Sequence, residues 1–197
     1  NYIEGSDDTG SNEPIWVDSF TQPSISNGVD IIWVIDGSGS MTDDHALVLQ
    51  GISDMMHSLP LISWRLVIIS MTPHEAVGVE TFPLLPGDSD MDAHIMFSEN
   101  VNNGYEQGFE ALYQFIENNE FARQWLREDA ALLTVFVSDE DDQSTSRFPS
   151  VEIFKNWLDS VREHVYVSSI TNLMPADSQC NEYSHNVGFR YQELTNL

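Results

Sequence analysis

The stretch Val29–Met41, V-D-I-I-W-V-I-D-G-S-G-S-M, decides how the rest of the chain is read. Val29 to Ile35 is a near-continuous apolar run. That is how a strand buried on both faces reads, as in a parallel sheet. It stops at Asp36, and two glycines and two serines follow within four residues. Glycine permits a tight loop, and on that ground both serines are expected on one side of it. Helix signals start at Asp43. Thr42 is a suitable N-cap, with Asp43 and Asp44 in the first turn, where negative charge is favoured. Val48, Ile52, Met55, Met56 and Leu59 share one helical face, and Pro60 ends the segment.

The same alternation continues outward. Trp64 to Met71 (WRLVIISM) predicts a second buried strand, and Gly78 to Phe82 a weaker third. Asp88 to Phe97 reads as a short helix. Gly104 to Asn118 reads as a clearer one, with Phe109, Leu112, Tyr113 and Ile116 on one face. Ala131 to Ser138 (ALLTVFVS) is another strand, Ser150 to Glu163 a helix capped by Ser150, and His164 to Ile170 a fifth strand. Val151, Phe154, Leu158 and Val161 form the inward face of that helix. A final helix begins at Gly188. Strand–helix alternation at this spacing predicts an α/β fold, doubly wound, with a mostly parallel central sheet and helices on both faces. Ligands of such folds bind beyond the carboxyl ends of the strands, where strand order reverses.

Chemistry is therefore expected just after Ile35 and just after Ser138. The first place holds Asp36-Gly37-Ser38-Gly39-Ser40, the second Asp139-Glu140-Asp141-Asp142. Brought together, Asp36, Ser38, Ser40 and Asp139 offer only hard oxygen donors, the set that Mg²⁺, Mn²⁺ or Ca²⁺ prefers. Taken alone, the first loop would be an ordinary turn with capping hydroxyls. Asp139, at the end of a suitable later strand, shifts the balance to a metal site. Glu140, Asp141 and Asp142 read as a solvated acidic loop, with helix capping as a further duty.

D-x-S-x-S after an apolar strand, followed by Met, resembles the metal-ion-dependent adhesion site (MIDAS) of von Willebrand factor type A (vWA) domains. The resemblance covers about residues 29–197. It implies that Ser38 and Ser40 bind one divalent cation directly, Mg²⁺ first among the candidates, while Asp36 and Asp139 act mostly through water. It also implies an open coordination position for an Asp or Glu carboxylate of a protein partner. The family's G-G-T loop is matched here by Asn102-Asn103-Gly104-Tyr105-Glu106-Gln107-Gly108, which places Tyr105 where the threonine belongs. Glu106 next to it either brings a carboxylate to the ion or is a first-turn acid favoured by the helix dipole. Both readings stand at this point. G-Y-E-Q-G-F-E-A, V-S-D-E-D-D-Q-S, Cys180 and Arg190 to Leu194 are similar to a bacterial and bacteriophage branch of the family. Its members are mostly exported, cell-surface or virion-associated. In that branch the helix near Arg190 leads to a last strand and a second cysteine.

Bulk properties exclude several classes. Of 197 residues, 32 are acidic and seven basic, a formal net charge of −25. Such a chain repels nucleic-acid phosphates and anionic membranes and suits cations or basic partners. No apolar run nears the ~20 residues of a membrane span. The polar start does not read as a signal peptide. Residues 1–27 read as an arm or linker, with Ile15-Trp16-Val17 and Phe20 able to dock, and 28–197 as the domain. Lone Cys180 allows no internal disulfide. It is a buried thiol or half of a bridge to another sequence. A P-loop lysine, a G-x-G-x-x-G fingerprint, a zinc-protease histidine pair and a G-x-S-x-G elbow are all missing. The five tryptophans read as core rather than as carbohydrate platforms. The expectation is thus a non-enzymatic, cation-dependent protein-binding module. A structural virion or surface subunit with a purely structural ion is the alternative. A metal-dependent hydrolase ranks last, since no base or nucleophile is evident.

Overall fold

A computed structural model describes residues 28–60, 63–102, 104–172 and 187–197. The expected arm at 1–27, Cys180 and its pairing lie outside the described residues.

The fold is α/β and doubly wound. Four strands, β1 (Val29–Ile35), β2 (Trp64–Ser70), β3 (Ala131–Ser138) and β4 (Val165–Thr171), form one sheet in the order β2-β1-β3-β4. All pairings are parallel. β1 lies centrally, with its sequence successor on one side and β3 on the other, so strand order reverses between β1 and β3. Its apolar run is buried throughout from Asp30 to Ile35.

Helices cover both faces. α1 (His45–Ser58) and α3 (Asp90–Asn100) pack together on one. α2 (Pro73–Gly78), α4 (Gly108–Asn118), α5 (Val151–Val161) and α6 (Phe189–Asn196) group on the other. There Phe109 stacks on Phe154 with centroids 4.0 Å apart, and Phe136 and Tyr191 close the cluster. Trp33, Trp64 and Trp125 are core residues, as their spacing suggested. On β4 Tyr166 and Ile170 remain exposed.

Several sequence expectations need correction. Gly78–Phe82 is no strand. Pro73 starts α2 with Glu75 in its first turn, and Gly78 closes that helix. Only a single antiparallel bridge, Leu66 to Leu84, follows. The sheet therefore has four described strands rather than five. α1 begins at His45, because Gly39–Asp43 coils as a 3₁₀ turn first. Thr42 sits in that turn and donates to the Gly39 carbonyl (2.8 Å) instead of capping. Asp44 holds the cap position without a side-chain bond. α4 begins at Gly108, leaving 104–107 as loop. Ser150 occupies the α5 cap position but caps no backbone N–H.

Gly108 is where α4 meets α6. A Cβ there would lie 2.5 Å from the Tyr191 hydroxyl and 3.2 Å from a Phe136 ring carbon. Both rings are buried in close-packed surroundings with no room to retreat. Gly108→Ala is expected to cost about 1–3 kcal/mol in urea unfolding, despite alanine's better helix propensity. A stabilised variant would show that this contact relaxes freely.

Candidate metal centre

Parallel register builds the site. Ile35 pairs with Val137, so Asp36 and Ser138 come level at the carboxyl ends of β1 and β3. Asp36 N–H donates to the Val137 carbonyl at 2.9 Å. Its buried carboxylate is held at both oxygens. Oδ1 accepts from Ser38 N–H (2.8 Å), and Oδ2 from the Ser138 hydroxyl (2.7 Å). The first bond bends the loop back on its own origin, and the second ties it to β3.

That bend lines up the predicted donors. The Ser38 and Ser40 hydroxyls are 2.8 Å apart, and Ser40 Oγ donates to Asp139 Oδ1 at 3.2 Å. The structure thus brings Asp36, Ser38, Ser40 and Asp139 into one bonded chain, closing a 99-residue gap in sequence between Ser40 and Asp139. Asn172, beyond β4, fixes the Asp139 carbonyl from the far side (2.7 Å).

Both serines do lie on one side of the loop, and glycine permits this through space rather than through a positive φ. Gly28 and Gly87 hold the positive φ angles, not Gly37 or Gly39. Gly37 is required for space. A Cβ there would lie 2.0 Å from the Asn102 carbonyl oxygen, a backbone atom with nowhere to go. At Gly39 a side chain would meet nothing within 4 Å.

The loop before α4 forms the third wall. Tyr105 is exposed, and its N–H donates to the buried Thr72 hydroxyl (3.1 Å). Glu106 lies near enough to the site for the charges of Glu140, Asp36 and Asp139 to act on it, and it is half-buried. Gln143 N–H donates to its carbonyl (2.8 Å), and the Gln143 side-chain amide donates to its Oε2. Burial, chiefly, and then the negative charges of Glu140 and Asp36, with a smaller push from Asp139, raise the Glu106 carboxyl above its ordinary pKa.

The acidic run after β3 is solvated only in part, Glu140 and Asp141 being half-buried. Asp142 is buried. It caps α4 by accepting from Phe109 N–H (3.0 Å), takes two bonds from Ser144, and pairs with Arg190 Nε at 3.0 Å. Asp141 accepts from Arg190 N–H at the start of α6 (2.8 Å). The capping duty is real for both, and it is Asp142 that departs from the exposure expected. Burial pushes the Asp142 carboxyl up even with the guanidinium beside it.

Sequence reasoning missed Ser138, Thr72, Gln143 and Asn172. Ser138 looked like the last residue of a strand, and only its register with Asp36 exposes its role. The other three lie in connections where no periodicity marks them. Among the described residues, no three His, Cys, Asp or Glu side chains converge closely enough to hold an ion alone. Any cation here depends on the two serine hydroxyls.

No family model matches the chain, and no curated protein does. Among solved structures it is similar to a von Willebrand factor type A protein from Catenulispora acidiphila, with 15% identity and a TM-score of 0.48, covering 74% of this chain and 33% of that one. It is also similar to proximal thread matrix protein 1 from the mussel byssus with a zinc-occupied MIDAS motif, at 16% identity and a TM-score of 0.42, covering 74% and 36%. A third is the pilus adhesin SpaC from Lactobacillus rhamnosus GG, at 16% and 0.40, covering 59% and 15%. The chain thus spans about a third or less of each of these proteins.

Proposed function

We propose that this chain is a cation-dependent protein-binding module of the von Willebrand factor type A kind, working outside the cytoplasm in adhesion or assembly. The observation that carries it is the hydrogen-bonded run from Asp36 through Ser38 and Ser40 to Asp139 at the switch point of the sheet. Hydroxyl and carboxylate oxygens, with no nitrogen or sulfur among them, fit Mg²⁺ first, with Mn²⁺ and Ca²⁺ of the same hard class. Ser38 and Ser40 would hold the ion, with Asp139 beside them and Asp36 orienting Ser38 from behind. The ion supplies a Lewis-acid centre on which a partner's Asp or Glu carboxylate can close.

Binding rather than catalysis is the reading that the neighbouring groups favour. His45 turns its Nε2 to the Asp36 carbonyl oxygen at 3.4 Å, so it serves neither serine as a base. No helix of the described residues is long and apolar enough to cross a membrane, so recognition at the tip loops involves no membrane-spanning helix among them.

Calorimetric titration with Mg²⁺, Mn²⁺ and Ca²⁺ tests the site. Thermal unfolding with and without EDTA, and binding to immobilised acidic peptides, test its use. Ion at a hundredfold excess over Kd is expected to add about 2.7 kcal/mol of stability. Ser40→Ala should erase that gain, and EDTA should release peptide from a still folded protein. Silence toward all three ions at millimolar concentration sinks the proposal. Ion binding without ion-dependent peptide capture would leave a purely structural ion.

A further inference from the structure

We propose that Gln143 is a positioning residue of the cation site, whose amide holds Glu106 on the rim as a fixed negative charge in the ion's outer shell. This rests on the cation-binding reading above and adds residues to it.

The geometry is specific. Gln143 grips Glu106 twice, by its backbone N–H to the Glu106 carbonyl (2.8 Å) and by its side-chain amide to Oε2. The neighbouring residue is pinned as well, through Tyr105 N–H to Thr72. Glu106 therefore has little freedom in backbone or carboxylate, although it lies on a loop. Its electrostatic surroundings are adverse. Glu140, Asp36 and Asp139 all act on it with like charge, and part of its hydration is gone. An unrestrained glutamate would swing into water. Here a neutral double contact keeps it facing the group that repels it. That arrangement makes sense if positive charge resides in the site, because a divalent ion turns each of these repulsions into a shared attraction. Among the described residues no three acids converge closely enough to hold an ion between them. With its Oε2 taken by the Gln143 amide, Glu106 acts at the second layer, where partners orient the donors and set the charge. Gln143 suits the clamp because it is neutral and presents an N–H donor without adding charge.

The test is a double-mutant cycle on the full chain, read by Mn²⁺ and Ca²⁺ calorimetry and by the metal-free melting temperature. Glu106→Gln and Gln143→Leu are each expected to weaken ion affinity about tenfold or more. The double variant should be no weaker than Glu106→Gln alone, since Gln143 then has no carboxylate to place. The metal-free melting temperature should barely move, which a merely structural role of Gln143 would not allow. Wild-type affinity in Gln143→Leu, or losses that multiply in the double variant, overturns the proposal while leaving the cation site intact. A wild-type chain that takes up no ion removes both, and Ser40→Ala, assayed in parallel, distinguishes the two failures.

Discussion

Arg190→Ala is expected to lower the unfolding free energy by about 3–5 kcal/mol, the cost of leaving a buried charge without its partner. Asp142 has a fully buried side chain, and Arg190 is 14% exposed, so solvent screens the pair little. The guanidinium also donates to the Phe148 carbonyl (2.6 Å) and lies 5.2 Å from the centroid of the Phe109 ring. One substitution thus loosens α4, α6 and the loop between β3 and α5. The loss should depend on pH. Burial already holds the Asp142 carboxyl above its unfolded value, and without Arg190 that shift grows. An acid whose folded pKa exceeds its unfolded pKa binds its proton more tightly when folded. Its stabilising contribution is complete below the unfolded pKa, near 3.9, and fades as the pH rises through the folded pKa. Urea midpoints of Arg190→Ala should therefore fall relative to wild type as the pH rises above the unfolded carboxyl range, near 3.9. A loss under 1 kcal/mol, flat in pH, would mean that Ser144 and Phe109 satisfy Asp142 unaided.

Asp36→Ala is expected to weaken divalent-ion affinity by about 10–100-fold. Neither Asp36 oxygen is spare, because Oδ1 sets the Ser38 backbone and Oδ2 anchors to Ser138. Alanine would free Ser38 and leave the Ser138 hydroxyl without its acceptor, while a charge facing the ion disappears. Ser138→Ala removes one of these bonds and should fall between wild type and Asp36→Ala. Titration calorimetry with Mn²⁺ gives both values. Equal affinity in Asp36→Ala and wild type would show that the hydroxyls and Asp139 suffice.

Much of this was readable in the sequence where burial dominates. Val29–Ile35 and Ala131–Ser138 are buried on both faces, so an unbroken apolar run marks each strand with its limits. The ion-site candidates were readable too, since the D-x-S-x-S loop follows one of these strands and Asp139 follows the other. What sequence obscured was set by tertiary partners. Asp30 lies inside the first apolar run, yet its carboxylate is buried against Arg127, 97 residues away. Asp142 resembles its half-buried neighbours Glu140 and Asp141 until Arg190 is placed. Gly78–Phe82 has strand-like composition but pairs with no described strand, the one bridge, at Leu84, lying beyond it, and Pro73 had already committed the chain to a helical turn.

The bare side of β4 bears on how the isolated domain behaves in bulk. Among the described strands β4 has a single neighbour, and its uncovered face shows Tyr166 and Ile170. Such a margin offers backbone groups and greasy surface to any extended chain that drifts near it. The formal charge of −25 is the colloidal counterweight, since like-charged copies repel before the margins touch. Salt shortens that repulsion to a Debye length of about 8 Å at physiological ionic strength. The acidity that makes the tip hospitable to cations thus also keeps copies of the same chain dispersed.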